Sequence, residues 1–137
     1  MTTTSTVTTG PAVSGGNFTI AAVEAKVALP GGQYVTVYTV PDGAANATVN
    51  YRIITNNLDE TALVTPFIVG SGYSTGTQPT NTDLVQPPNL PLGSEGVQAG
   101  IVEDTGVVML PGTSLVVWSD SAVTVRMHGY LKTATGG

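Results

Sequence analysis

The last third of the chain contains the clearest alternation of apolar and polar positions. Within residues 122–132, every second side chain is apolar up to Met127. The apolar positions are Val123, Val125, Met127 and Leu131, and the positions between them are Thr124, Arg126, His128, Tyr130 and Lys132. This period of two predicts a half-buried antiparallel strand with one face in water.

Two further β-rich runs come just before this strand, at residues 107–110 and 114–118. Pro111-Gly112 separates the first two runs, and Ser119-Asp120-Ser121 separates the last two. A Pro-Gly pair presets a tight turn, and Ser and Asp side chains bond to their own backbone in another. The three runs therefore predict a three-stranded meander.

Earlier runs at residues 33–40, 47–55 and 62–69 have similar β-strand patterns. The third run contains Pro66, which cannot donate a ladder hydrogen bond, so it predicts an edge strand or a bulge. Two sheets packed face to face would share one apolar core. Its predicted members are Val35, Val37, Val49, Tyr51, Ile53, Val123, Val125 and Met127.

Residues 17–29 allow two interpretations. Phe18 and Ile20 alternate as in a strand, whereas Val23 and Val27 have helical spacing. We favour a strand, or a strand with a bulge, because the surrounding runs are all β, and a two-turn helix stays the alternative. Residues 1–16 are rich in Thr, Ser and Gly and predict an extended arm, which we expect to lie on a neighbouring subunit.

Residues 70–105 contain many Gly, Pro and polar residues and little periodicity. We interpret them as a long ordered loop that crosses a sheet or reaches a neighbour. In total, about seven or eight short strands predict an all-β protein, an antiparallel β-sandwich or jelly roll. We expect one such domain over residues 17–137, preceded by the arm at residues 1–16.

The run 114–118 is apolar on both faces, since Leu115 and Val117 point one way and Val116 and Trp118 the other. One explanation is that the long loop covers Val116 and Trp118. The other places Trp118 in a subunit interface, where Trp is enriched. On the second explanation, Trp118, Val116, Tyr34 and Tyr38 are the candidates for subunit packing.

Charge narrows the choice of partners. Only 9% of the residues are charged and the net charge is −5, whereas a typical soluble domain has about 25% charged residues. Such a surface favours association with copies of itself or a partner. The four basic residues are scattered singly in the sequence, which argues against nucleic acid. No apolar run has the length of a membrane span, and the N-terminus lacks the pattern of a signal peptide.

The sequence offers little chemistry, and we expect no enzyme, cofactor or metal. The chain has one histidine, His128, and no cysteine, and it contains no Gly-x-Ser-x-Gly elbow and no phosphate-binding loop. Glu103-Asp104 and Asp59-Glu60 are sequence neighbours, which point apart in an extended chain and do not form an acid pair. A weaker alternative is a carboxylate ring of Glu103 or Asp104 that holds a cation on an oligomer axis.

Four segments carry a resemblance to known proteins. They are YTVPDG at 38–43, ATVNYRI at 47–53, VMLPGTSLVV at 108–117 and VTVRMHGY at 123–130. Their order over residues 33–132 resembles small β-sandwich structural proteins of tailed-bacteriophage virions, namely decoration (cement) proteins and tail-fibre-associated proteins.

The resemblance implies a non-enzymatic virion protein, assembled in the host cytoplasm, with neither nucleic acid, membrane nor small-molecule substrate as partner. The most fitting role is a homotrimeric decoration protein that binds the major capsid protein and stabilises the shell. The arm and the long loop supply the expected capsid contacts, Thr2, Thr3, Thr4, Val7, Leu90 and Leu92. The alternatives are a tail, neck or fibre-base protein, and a receptor- or carbohydrate-binding module, although no single loop contains a Trp/Tyr cluster.

Overall fold

The computed structural model describes residues 4–55, 61–92 and 101–134. These ranges contain ten strands and one 3-10 turn, Asn81–Asp83. The strands are β1 (Thr4–Thr9), β2 (Val13–Gly15), β3 (Phe18–Leu29), β4 (Gln33–Thr39), β5 (Asn46–Thr55), β6 (Ala62–Val69), β7 (Leu90–Leu92), β8 (Ile101–Met109), β9 (Ser114–Ser119) and β10 (Val123–Ala134).

All strand pairs are antiparallel, and they form two sheets. Sheet A has the order β1-β3-β10-β5-β8, with β2 beside β3, and sheet B has the order β4-β9-β6-β7. The predicted all-β sandwich is therefore confirmed. It has more strands than expected, because the arm and part of the long loop also form strands.

The strand pairing is that of a jelly roll. The pairs β3·β10, β4·β9, β5·β8 and β6·β7 are those of one long antiparallel hairpin. Successive pairs alternate between sheets A and B, so that the hairpin is rolled into two packed layers. Such rolled double sheets are the architecture of jelly rolls, and β1 and β2 are additions to the eight-stranded body.

The core lies between the inward faces of the two sheets. Of the eight predicted core residues, seven are buried, and Val35 is half-buried and packs against the same cluster. Burial alternates along β3 from Ala21 to Leu29, which confirms the strand interpretation of this segment. Successive side chains of a strand point to opposite faces of the sheet, so every second residue of this segment points into the core.

The predicted meander is wrong. Strands β8 and β10 both lie in sheet A, on either side of β5, whereas β9 lies in sheet B. The turns at Pro111-Gly112 and Ser119-Asp120-Ser121 therefore carry the chain from one sheet to the other. Asp120 anchors the second crossing, because its Oδ1 accepts a hydrogen bond of 2.8 Å from the Leu63 N–H.

The predicted arm is extended, but its described part pairs with its own chain. Strands β1 and β2 both pair with β3, and β1 lies at the edge of sheet A. Val7 is in register with buried Ala25 and yet is 49% exposed, so the four strands of sheet B do not cover it. The described part of the arm is thus an edge strand of the protein's own sheet, and its contact with a neighbouring subunit stays a prediction.

The long segment has more structure than predicted. Strand β8 begins at Ile101, and β7 pairs with β6 over Ala62–Val64. Residues 70–89 turn back over the outer face of sheet B, where Leu84 bridges to Phe67. Pro66 lies beyond the stretch that pairs with β7, so its missing N–H breaks no bond of that ladder. Asp59-Glu60 and the stretch 93–100 of the long segment lie outside the described residues.

Candidate binding sites on the two outer sheet faces

Sheet A exposes its outer face, and the basic residues converge there. Lys26, Arg126 and Arg52 are direct register neighbours on β3, β10 and β5. The description of the basic residues as scattered is therefore wrong in three dimensions. However, Glu24 lies in the next row of this face, and Glu103 Oε2 lies 3.4 Å from Arg52 Nε. The three cations and these two carboxylates together carry a net charge of +1, whereas binding to a phosphate backbone depends on several clustered cations.

A shallow groove of about 460 Å³ lies beside this row, over Gly10 and Ala22. His128 stands at its wall, and its Nε2 lies 3.3 Å from Asn50 Nδ2. In the described part of the chain, this amide is the only hydrogen-bond partner of the imidazole. A nucleophile activated by His128 would have to be within hydrogen-bond reach of the ring, and the groove does not bring one there.

Four exposed apolar side chains form what we call the apolar stripe, on the same outer face. The stripe consists of Val13, Ile20, Tyr130 and Val108, with exposed fractions of 68%, 42%, 61% and 62%. Val13 and Ile20 are register neighbours, and Tyr130 and Val108 lie on either side of Thr48. Exposed apolar side chains grouped on one sheet face are typical of an interaction surface.

The outer face of sheet B carries an aromatic cluster. Trp118 is in register with Tyr34 on one side and Thr65 on the other. The Tyr34 ring centroid lies 6.4 Å from that of Trp118 and 6.1 Å from that of Phe67. Beside these rings lies a pocket of about 210 Å³, the aromatic pocket, which is also lined by the side-chain amide residues Gln78, Asn81 and Asn89.

The long loop covers part of this face, so the first of the two explanations for the doubly apolar strand is confirmed for Val116, and the interface explanation for Trp118 stays a prediction. Val116 is fully buried in a cluster with Phe67 and Val69, against which Tyr73 and Leu84 of the loop pack. Trp118 and Tyr34 pack at the margin of the same cluster and stay partly exposed.

Two of the four predicted subunit contacts need correction. Val116 is buried under the loop, and Tyr38 is buried in the core between the sheets. A register shift between Thr36 and Tyr38 turns Tyr38 inward, where burial raises the pKa of its phenol. Alternation alone could not show this shift. Only Trp118 and Tyr34 keep a surface that another molecule can reach.

The residues predicted as capsid contacts differ in how exposed they are. Val7 is exposed on β1, which begins at Thr4, whereas Thr2 and Thr3 lie outside the described residues. Leu90 is half-buried against the core. Leu92 is fully buried because β7 joins sheet B, so this residue is corrected from a contact to a core residue.

Glu103 and Asp104, the carboxylates considered for a cation site, make different contacts. Glu103 pairs with Arg52, and Asp104 accepts a hydrogen bond from the Thr105 N–H at 2.9 Å and lies in register with Tyr51. Burial, with a smaller contribution from Asp104, raises the pKa of Tyr51 far above its ordinary value. Among residues 4–55, 61–92 and 101–134, no group of three His, Cys, Asp or Glu residues is placed to hold a metal ion. The same ranges contain no helix long and apolar enough to span a membrane.

Comparison of the chain with protein-family models, curated proteins and solved structures finds no match. We therefore infer function from the geometry of the two outer sheet faces. Sequence reasoning found Trp118 and Tyr34 but not the amide residues beside them, because these come from a loop whose path only the fold determines.

Proposed function

We propose that the protein is a non-enzymatic structural component of a bacteriophage virion, a decoration protein that binds the major capsid shell as a homotrimer and stabilises it. The observation that carries this proposal is the apolar stripe. Val13, Ile20, Tyr130 and Val108 expose apolar surface on β2, β3, β10 and β8 of sheet A, with Thr48 of β5 between the last two, and no part of the described chain covers these side chains. A protein with few surface charges and such a stripe is suited to bind another protein surface.

Two further features support the same role. The jelly roll occurs among viral capsid proteins, which supports the role by analogy of fold. In addition, the edge strand β1 has the uncharged sequence TSTVTT, without the Lys, Pro or bulge that usually protects an edge. An unprotected edge beside an apolar face extends the surface that a partner protein can bury.

Mixing and pelleting experiments test the proposal directly. The purified protein is first sized by size-exclusion chromatography with light scattering, and it is then mixed with heads of the phage whose genome carries its sequence. We expect a trimer that pellets with the heads in hundreds of copies per particle. A trimer bound in only a few copies would place the protein in the tail or neck instead, and a monomer that does not bind heads would refute the virion role.

A matched pair of variants on β8 tests the stripe itself. Val108→Asp introduces a charge within the stripe, whereas Thr105→Asp introduces the same charge at an exposed polar position of the same strand. We expect Val108→Asp to abolish pelleting and Thr105→Asp to leave it unchanged. Equal pelleting of the two variants would show that the stripe is not the contact surface.

A further inference from the structure

We infer that the aromatic pocket on the outer face of sheet B binds a neutral saccharide. The pocket combines three aromatic side chains from three neighbouring strands with three amide side chains from the loop that follows β6. The expectation that no Trp/Tyr cluster supports a sugar platform holds for single loops only. Pairing of β4, β9 and β6 assembles such a cluster from residues that are distant in sequence.

Tyr34 and Trp118 provide the accessible ring surface of the pocket, and Phe67 is buried beside Tyr34. Tyr34 is tilted by 38° against Trp118 and by 54° against Phe67, so the rings meet at an angle rather than in a flat stack. The face of an aromatic ring is electron-rich and attracts weakly positive hydrogen atoms. A pyranose presents a face of C–H groups that meets this requirement, whereas its hydroxyl groups point outward from the ring edge.

The amides provide hydrogen bonds for those hydroxyl groups. Gln78, Asn81 and Asn89 each offer two N–H donors and a carbonyl acceptor. In the described part of the chain, none of these three side-chain amides makes a hydrogen bond of its own. In small-molecule sites, a few convergent polar groups beside aromatic side chains fix the orientation of the ligand.

The pocket walls are held in place before a ligand arrives. The Thr80 backbone N–H and hydroxyl group both donate to Asp83 Oδ2, at 3.1 and 3.0 Å, and this fixes the 3-10 turn that carries Asn81. On the other wall, the Asn89 N–H donates to Thr65 Oγ1 at 2.9 Å, with Asn89 in the left-handed region at a φ of 58°. Such preorganisation lowers the entropy that binding would otherwise cost.

Charge and size indicate the class of ligand. No lining residue of the pocket is charged, and all four Lys and Arg residues lie on sheet A, so a phosphate or carboxylate would find no cation here. The volume of about 210 Å³ suits one sugar ring. A proline-rich peptide also docks on aromatic side chains but requires an extended groove. These features favour a neutral monosaccharide unit, free or at the end of a glycan.

Trp118 makes the test direct, because it is the only tryptophan of the chain. Its fluorescence is followed during titration of the full chain with glucose, galactose, mannose and N-acetylglucosamine, and a glycan array extends the search. We expect at least one neutral sugar to change the Trp118 emission saturably. The double variant Gln78→Ala/Asn81→Ala should lower the affinity for that sugar about tenfold, since two hydrogen bonds are lost.

Gln33→Ala is the matched control, because Gln33 is an exposed amide residue on β4 that does not line the pocket. It should leave sugar affinity unchanged. If the double variant unfolds, Asn81→Asp, which preserves side-chain shape, replaces it and should also weaken binding. A blank array with no change in Trp118 emission would overturn the inference, as would unaltered affinity in the pocket variants or a response to decaproline alone. Pelleting with phage heads is a separate readout, so this site and the decoration role can fail independently.

Discussion

Substitution of Gly129 by alanine tests how closely β10 and β5 pack in sheet A. Gly129 lies in the middle of β10, with Val49 of β5 as its register partner. A Cβ atom at this position would lie 2.7 Å from Val49 Cα and 2.9 Å from the Thr48 carbonyl carbon, and it would overlap the Thr48 carbonyl oxygen. All three contacts involve backbone atoms, which cannot rotate away as a side chain could. A glycine within a strand often marks such a close backbone approach.

The expected loss of stability follows from the backbone movement that the added methyl group requires. To admit the methyl group, β10 and β5 have to separate locally by about 1 Å, and two or three ladder hydrogen bonds beside Gly129 are then stretched or broken. Each contributes about 0.5–1.5 kcal/mol net, and overpacking in a rigid interior costs about 1–3 kcal/mol. We therefore expect Gly129→Ala to lower the free energy of unfolding by about 3 kcal/mol, which corresponds to a drop of about 10 °C in Tm for a chain of this length.

Thermal unfolding and urea titration measure this loss, and Gly43→Ala provides the control. Gly43 lies in the turn after β4, and no heavy atom lies within 4 Å of the position its Cβ would take. Its substitution should leave Tm unchanged or raise it slightly, because alanine restricts the unfolded chain. Equal stability of Gly129→Ala and Gly43→Ala would refute the close approach of the two strands.

Three further changes test the core, the surface and the crossing between sheets. Tyr51 is buried, and its hydroxyl group has no hydrogen-bond partner among the described residues, so Tyr51→Phe should preserve stability or raise it by about 1 kcal/mol in urea titration. The folded-state pKa of Tyr51 is raised above the ordinary value of 10.0, so above about pH 10 the Tyr51 phenol ionises only in the unfolded chain. The wild type should therefore lose stability as the pH rises above about 10, and Tyr51→Phe should remove the part of this loss that Tyr51 causes. The Arg52–Glu103 pair is about half exposed, so a double-mutant cycle with alanine should give a coupling below about 0.5 kcal/mol, and a coupling of several kcal/mol would contradict its exposed placement. Asp120→Ala removes the acceptor for the Leu63 N–H and should cost about 1 kcal/mol, whereas Asp120→Asn, which keeps an acceptor oxygen, should restore most of it.

The candidate sites show where sequence reasoning stops. Trp118 was found because its strand is apolar on both faces, a local pattern that always requires an explanation. Gln78, Asn81 and Asn89 were not found, since polar residues in a loop carry no signal until the loop has a path. Tyr38 was misplaced by one register shift in β4, because a bulge inverts the face of each residue beyond it.

The alternation of apolar and polar residues by itself determined that this is an all-β protein with two packed layers. It also determined most core residues, because a side chain's face within a strand depends only on local geometry. Only the tertiary structure decided which sheet each strand joins, since hydrogen bonding between strands depends on partners distant in sequence. This long-range pairing sends β9 to sheet B and places the three basic residues side by side. It also gathers Tyr34, Phe67 and Trp118 around one pocket.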